Sequence, residues 1–98
     1  MQDEASLIER ALTQRDNAAF SSLVELHQGK IRAFLVRLSK SYDLADDLAQ
    51  ETFISAYRRL STFAGKGSFQ GWLFRIAYNC FMQHIRSSKR RTEVTDEF

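Results

Sequence analysis

The chain has 98 residues, 14 Lys/Arg against 12 Asp/Glu, one cysteine and no proline, which describes one domain with room for a modest core. A lone cysteine excludes an internal disulfide framework and a zinc-finger ligand set, and it suits a reducing compartment. No apolar run approaches the roughly 18 residues of a membrane span, and Asp3, Glu4 and Glu9 oppose the basic-then-apolar order of a secretory signal, so a soluble, cytoplasmic protein is expected.

The net charge of +2 conceals a division. Residues 1–57 carry six Lys/Arg and nine Asp/Glu, whereas residues 58–98 carry eight and three. An acidic half beside a basic half suggests two faces for two partners.

Helical spacing recurs along the chain and no stretch alternates cleanly between apolar and polar. The expected fold class is therefore all-α, a compact bundle of three to four helices. The first helix is predicted from Asp3 to Thr13, with Leu7, Ile8, Ala11 and Leu12 as its buried stripe. Asp16 suits the N-cap of a second helix that carries Phe20, Leu23, Val24, His27, Ile31, Phe34, Leu35 and Leu38. Gly29 would cost about 1 kcal/mol inside that helix, so one long helix or two nearly collinear ones are expected. His27 is placed at the core edge.

Asp43 is read as the cap of a third helix from about Leu44 to Ser61. At 100° per residue, Leu48, Ala49, Phe53, Ala56 and Leu60 share its core arc. The opposite arc carries Asp43, Asp46, Asp47, Gln50, Glu51, Ile54, Tyr57 and Arg58. Acids near a helix N-terminus complement its dipole, but that does not account for Ile54 and Tyr57 among carboxylates. Apolar groups ringed by charge describe an interface for a basic protein partner.

Gly65, Gly67 and Gly71 mark the next loop, and Ser68 is read as the cap of a last helix ending near Ser88. Leu73, Phe74, Ile76, Ala77, Cys80, Phe81 and Ile85 form its apolar side, with His84 at the edge. The other arc carries Trp72, Arg75, Asn79, Met82, Gln83, Arg86, Lys89 and Arg90, with no acid. Lysines and arginines there suit phosphates, and Asn79 and Gln83, one turn apart, suit base edges. Phe63, Phe69 and Trp72 bracket the loop glycines and Lys66. Aromatics held that way can stack on an unpaired base, with Phe69 the favoured stacking residue, or can tuck into the core. Residues 92–98 are read as a frayed tail or the start of a linker. No nucleophile with its base, no metal-ligand spacing and no phosphate-cradling glycine motif is present, so binding rather than catalysis is expected and no cofactor is implied.

The segments Asp43-Leu-Ala-Asp-Asp-Leu-Ala-Gln50-Glu-Thr-Phe53, Ala56-Tyr-Arg-Arg-Leu60 and Gly71-Trp-Leu-Phe-Arg-Ile-Ala-Tyr-Asn79 resemble region 2 of bacterial sigma factors. The compact pattern is similar to the extracytoplasmic-function (group 4) branch, and Asn17-Ala-Ala-Phe20-Ser-Ser-Leu23 fits it too. The resemblance implies a domain over residues 1–91 that binds the clamp helices of the RNA polymerase beta-prime subunit through Asp43, Asp47, Gln50 and Glu51, with Ile54 and Tyr57 beside them. It also implies recognition and melting of the −10 promoter element. The loop from Phe63 to Phe69, with Lys66 and Ser68, would capture a flipped non-template base. Trp72, Arg75, Asn79 and Gln83 would face DNA, with Arg86, Lys89, Arg90 and Arg91 near phosphates.

Trp72-Leu73 stands where primary sigma factors carry two tryptophans, which fits the group 4 branch. The family's −35-reading helix-turn-helix domain has no counterpart here, so a fragment of a longer chain is expected. Anti-sigma factors commonly cover these faces in the family. From the residues alone, two other readings stand beside this one: a double-stranded DNA-binding helical domain of a transcriptional regulator, and a protein-interaction bundle targeted by an anti-sigma factor.

Overall fold

Helices begin here where a side-chain oxygen can take up one of the backbone N–H groups that the first turn leaves unpaired. Asp3 accepts from Ser6 N at 2.8 Å, Asp16 from Ala19 N at 3.1 Å, and Ser41 from Leu44 N at 3.1 Å. Ser68 Oγ accepts from Gly71 N at 3.1 Å. The resulting elements in the computed structural model are α1 (Glu4–Gln14), α2 (Asn17–Ser39), α3 (Tyr42–Arg58), a 3-10 turn (Leu60–Thr62) and α4 (Phe69–Asp96). Residues 3–63 and 67–96 are described, with side chains up to Arg90.

The carboxyl of Asp3 is held below its usual range by the Ser6 N–H, and that of Asp16 by the Arg10 guanidinium and then the Ala19 N–H. Lowered carboxyls stabilise the fold above the ordinary carboxylate range. That contribution is lost as pH falls through the lowered values.

Three boundaries differ from expectation. Ser41, not Asp43, caps α3, because the serine hydroxyl is the one placed to accept from Leu44 N. The α-helix then stops at Arg58 rather than Ser61, tightening into 3-10 geometry where Thr62 N donates to Arg59 O at 2.8 Å and Phe63 N to Leu60 O at 3.1 Å. In addition, α4 runs through Asp96, past the end expected near Ser88. No glycine or proline follows Gly71, so nothing in the chain compels an earlier stop.

Of the two alternatives left by Gly29, α2 is one uninterrupted helix of 23 residues. A Cβ built on Gly29 meets nothing within 4 Å. Gly29→Ala is therefore expected to stabilise the fold by about 1 kcal/mol, raising the thermal midpoint by roughly 4–8 °C. A circular-dichroism melt checks this.

The core lies among α2, α3 and α4, with α1 laid on α2 through Leu7 and Ala11. Leu23, Ile31, Leu35, Leu48 and Leu73 are fully buried. Thr52 is buried among them at 0 % exposure, which is tolerable because its hydroxyl donates to the Leu48 carbonyl at 2.7 Å. Ile85, expected on the apolar side of α4, is 41 % exposed. Among the described residues, no helix is long and apolar enough to cross a membrane.

Candidate functional site

The outward arc of α3 is where its helical phase puts it. Asp43, Asp46, Asp47, Gln50, Glu51, Ile54, Tyr57 and Arg58 are all exposed, with Ile54 at 48 % and Tyr57 at 45 %. Asp43, Asp47 and Glu51 enter none of the three ion pairs among the described residues. The apolar pair continues into an open groove of about 1010 Å³ between α2 and α3, whose walls include Phe20, Val24, Phe53, Ile54 and Tyr57.

Two contacts across the groove were not legible in the sequence. Tyr57 donates from its hydroxyl to Asn17 Oδ1 at 2.8 Å, and its ring meets Phe20 edge-on at 5.2 Å. Arg32 pairs with Asp46 and lies 5.6 Å from the centre of the Tyr42 ring. The groove thus has an apolar middle, an ion pair on its wall, and an anchored tyrosine. Because Gly29 also lines it, the α2 wall is smooth at that point.

The polar arc of α4 is a second surface. Arg75, Asn79, Gln83, Arg86, Lys89 and Arg90 are exposed, and Trp72 is half-buried. None of these cations has an acidic partner among the described residues. The hydrogen-bonding groups of Asn79 and Gln83 are therefore open, one helical turn apart, in a positive field. Cys80 sits half-buried under this arc. Burial pushes its thiol up, against a hydrogen bond with Thr52, so it is poorly suited to act as a thiolate.

The loop before α4 departs most from expectation. Lys66 lies outside the described residues. Phe63 and Phe69 are buried at 7 % and 4 % exposure, so neither ring offers the free stacking face expected of Phe69. Their centroids are 5.4 Å apart, and Trp72 stands 5.4 Å and 5.5 Å from them. The reason is phase: Phe69, Leu73, Ile76 and Ala77 share one helical stripe, which faces the core. That signal was readable, since 69, 73 and 76 are spaced by four and three. The left-handed bend that brings the chain back to this cluster falls on Gly67, at φ +77°, where a side chain would be strained.

A fourth side chain closes the cluster from α2. His27 is 5 % exposed and its ring lies 5.6 Å from that of Phe69. Its Nε2 donates to Glu4 Oε1 at 2.7 Å, joining α1 to the floor beneath the loop. Between α1 and the start of α4 a cleft of about 660 Å³ opens over this floor, bordered by Glu9, Ser68 and Gln70. The placement of Ser68 at the cleft fits its expected position in the loop. The joining of His27 to Glu4, across 23 residues of sequence, had no signal in the pattern.

Comparison with known proteins follows the same lines. The model of the family described as Sigma-70 region 2 matches residues 23–91. The chain is 39 % identical over 95 residues to the RNA polymerase sigma-H factor of Pseudomonas aeruginosa, covering 97 % of this chain and 49 % of that protein. It is 38 % identical over 93 residues to the ECF RNA polymerase sigma-E factor of Haemophilus influenzae, covering 95 % and 48 %. The chain spans about half the length of the curated relatives it matches. In three dimensions it resembles the engineered region 2 of sigmaE solved by NMR in complex with GTAAAA. That match has a TM-score of 0.83 and 36 % identity, over 92 % of this chain and 93 % of that one.

Proposed function

The chain belongs to the Sigma-70 region 2 family, and on that premise we propose that it docks on core RNA polymerase through α3 and holds open the −10 element of a promoter through α4 and the cleft beneath its first turn. The observation that carries this reading is the separation of two exposed faces of opposite charge. One is acidic with Ile54 and Tyr57 at its centre; the other is acid-free with Asn79 and Gln83 among cations.

The acidic face meets the clamp helices of the beta-prime subunit. Asp43, Asp47 and Glu51 face basic residues there, Gln50 hydrogen-bonds, and Ile54 and Tyr57 fill the middle. The α2 wall of the groove, with Phe20 and Val24, extends the same surface. Polar rims around an apolar centre are the common anatomy of such contacts, and the charges speed encounter and fix register.

On the other side, Arg75, Arg86, Lys89 and Arg90 neutralise phosphates while Asn79 and Gln83 meet base edges. A non-template base leaves the stack and enters the cleft above His27 and Phe69. Unstacking a base costs a few kcal/mol, and the cleft offsets it only in the strand-separated state. Binding energy thus drives melting, and no bond is made or broken. An anti-sigma factor covering these faces would compete with both partners.

Co-purification with core RNA polymerase, with and without a single-stranded non-template oligonucleotide, tests the proposal. Retention on the polymerase, and single-strand binding that exceeds duplex binding, are expected. Equal affinity for duplex and single strand with no retention on polymerase would favour a double-stranded DNA-binding regulator instead. Binding of polymerase with no salt-dependent affinity for DNA would leave only an interaction bundle.

A further inference from the structure

A third surface lies on α4, between its core stripe and the far edge of its polar arc. Phe74, Tyr78, Phe81 and Ile85 are spaced by four, three and four residues, so they form one apolar row along the helix. Phe74 and Phe81 pack partly against the core, but Tyr78 is 47 % exposed and Ile85 41 %. The core uses one edge of this row and leaves the other in water. The row starts against α2, where the rings of Phe34 and Phe74 meet edge-on at 5.0 Å.

Positive charge borders the row on both sides. On α4, Arg75 stands three residues before Tyr78 and Lys89 four after Ile85, which makes them its neighbours on the helix surface. On α2, Lys30 and Arg37 stand four before and three after Phe34. All four are exposed, and none enters an ion pair among the described residues. From Phe69 to Arg90, α4 contains no acid.

We infer that this row is the docking site of a second protein, through an amphipathic helix with an apolar face and acidic flanks. Spacing of four, three and four is that of a helix seam, in which side chains of the partner enter between those of α4. Charge decides the occupant. A second copy of this chain would set Arg75 and Lys89 against like charges, whereas an acidic helix pairs with them. Nucleic acid would satisfy the cations and leave Tyr78 and Ile85 unburied. Docking here is independent of the proposed polymerase and promoter contacts, because the row shares no residue with the acidic arc of α3 or with Asn79 and Gln83.

The probe is a synthetic helical peptide of about 21 residues with Leu at heptad positions a and d and Glu at e and g, whose glutamates keep it from pairing with itself. A control peptide carries Ala in place of every Leu, at the same charge. Each is titrated into the whole chain, and the backbone amide shifts are followed by NMR. The leucine peptide is expected to bind and to shift the amides around Tyr78, Phe81 and Ile85, and the alanine peptide is not. Tyr78→Ala combined with Ile85→Ala is expected to weaken binding about 10-fold, as loss of an interface anchor does, while the helical circular-dichroism signal stays. Lys30→Glu, which reverses a flanking charge away from α4, is expected to weaken it several-fold. Equal binding of the two peptides, or of neither, would overturn the inference, as would shifts confined to the groove between α2 and α3. Shifts around Tyr78 that depend on the concentration of the chain alone would give the row to a second copy instead. If the double variant binds the leucine peptide normally but loses affinity for the hexanucleotide GTAAAA, the sequence held by the solved relative, the row belongs to nucleic acid and the inference falls.

Discussion

Phe69→Ala is expected to lower folding stability by about 3–5 kcal/mol, the usual cost of truncating a buried phenylalanine. The ring is 4 % exposed and touches the rings of Phe63, Trp72 and His27. Removing it leaves a cavity where the 3-10 turn, α2 and the start of α4 converge. Small domains have only about 5–15 kcal/mol of stability in all, so a large part of the margin goes. The urea midpoint measures this, with Phe69→Leu as companion, expected to recover most of the loss because it keeps an apolar group of similar bulk. The opposite result is equally sharp. If Phe69 were a free stacking aromatic, alanine would leave the midpoint unchanged and weaken only single-strand binding.

That contrast shows where sequence reading works and where it stops. The outward arcs of α3 and α4 were legible because helical phase alone decides which side chains share a face, and charge then says which face is wet. Every residue placed on the acidic arc is exposed, from Asp43 to Arg58. The caps at Asp16 and Ser68 were legible for a similar reason, since the backbone need they meet is local. Phe69 was misread because its loop neighbours drew attention from the stripe it shares with Leu73 and Ile76. Thr52 was passed over in the core because its hydroxyl looks polar until it is seen to donate to the Leu48 carbonyl.

Other features were not legible at all. Asn17 with Tyr57, separated by 40 residues, and Glu4 with His27 are joined only by the packing of one helix on another, and a single sequence carries no mark of such pairs. The same holds for the α2 wall of the groove. Phe20 and Val24 were read on the apolar spacing of α2; Phe20 does pack against the core and Val24 is half-buried, but the structure also gives both a side that opens on the groove.

The acidic arc supplies the second large effect. Asp47→Lys and Glu51→Lys are each expected to weaken binding to core RNA polymerase by about 100-fold or more, since setting like charges against one another in an interface costs several kcal/mol. Stability should move by no more than about 0.5 kcal/mol, because both side chains are exposed and neither enters an ion pair among the described residues. The pair of measurements matters more than either alone. An affinity loss with an unchanged urea midpoint localises the effect to the surface, whereas a parallel fall in both would mean that α3 itself had been disturbed. Asp46→Lys provides an internal contrast. Its carboxylate already holds Arg32, so reversing it releases an arginine towards the same groove and adds positive charge twice over. A larger loss of polymerase binding at Asp46 than at Asp47 would place the partner's basic residues over the groove, while a smaller one would place them over the outer edge of α3, nearer Asp47 and Glu51.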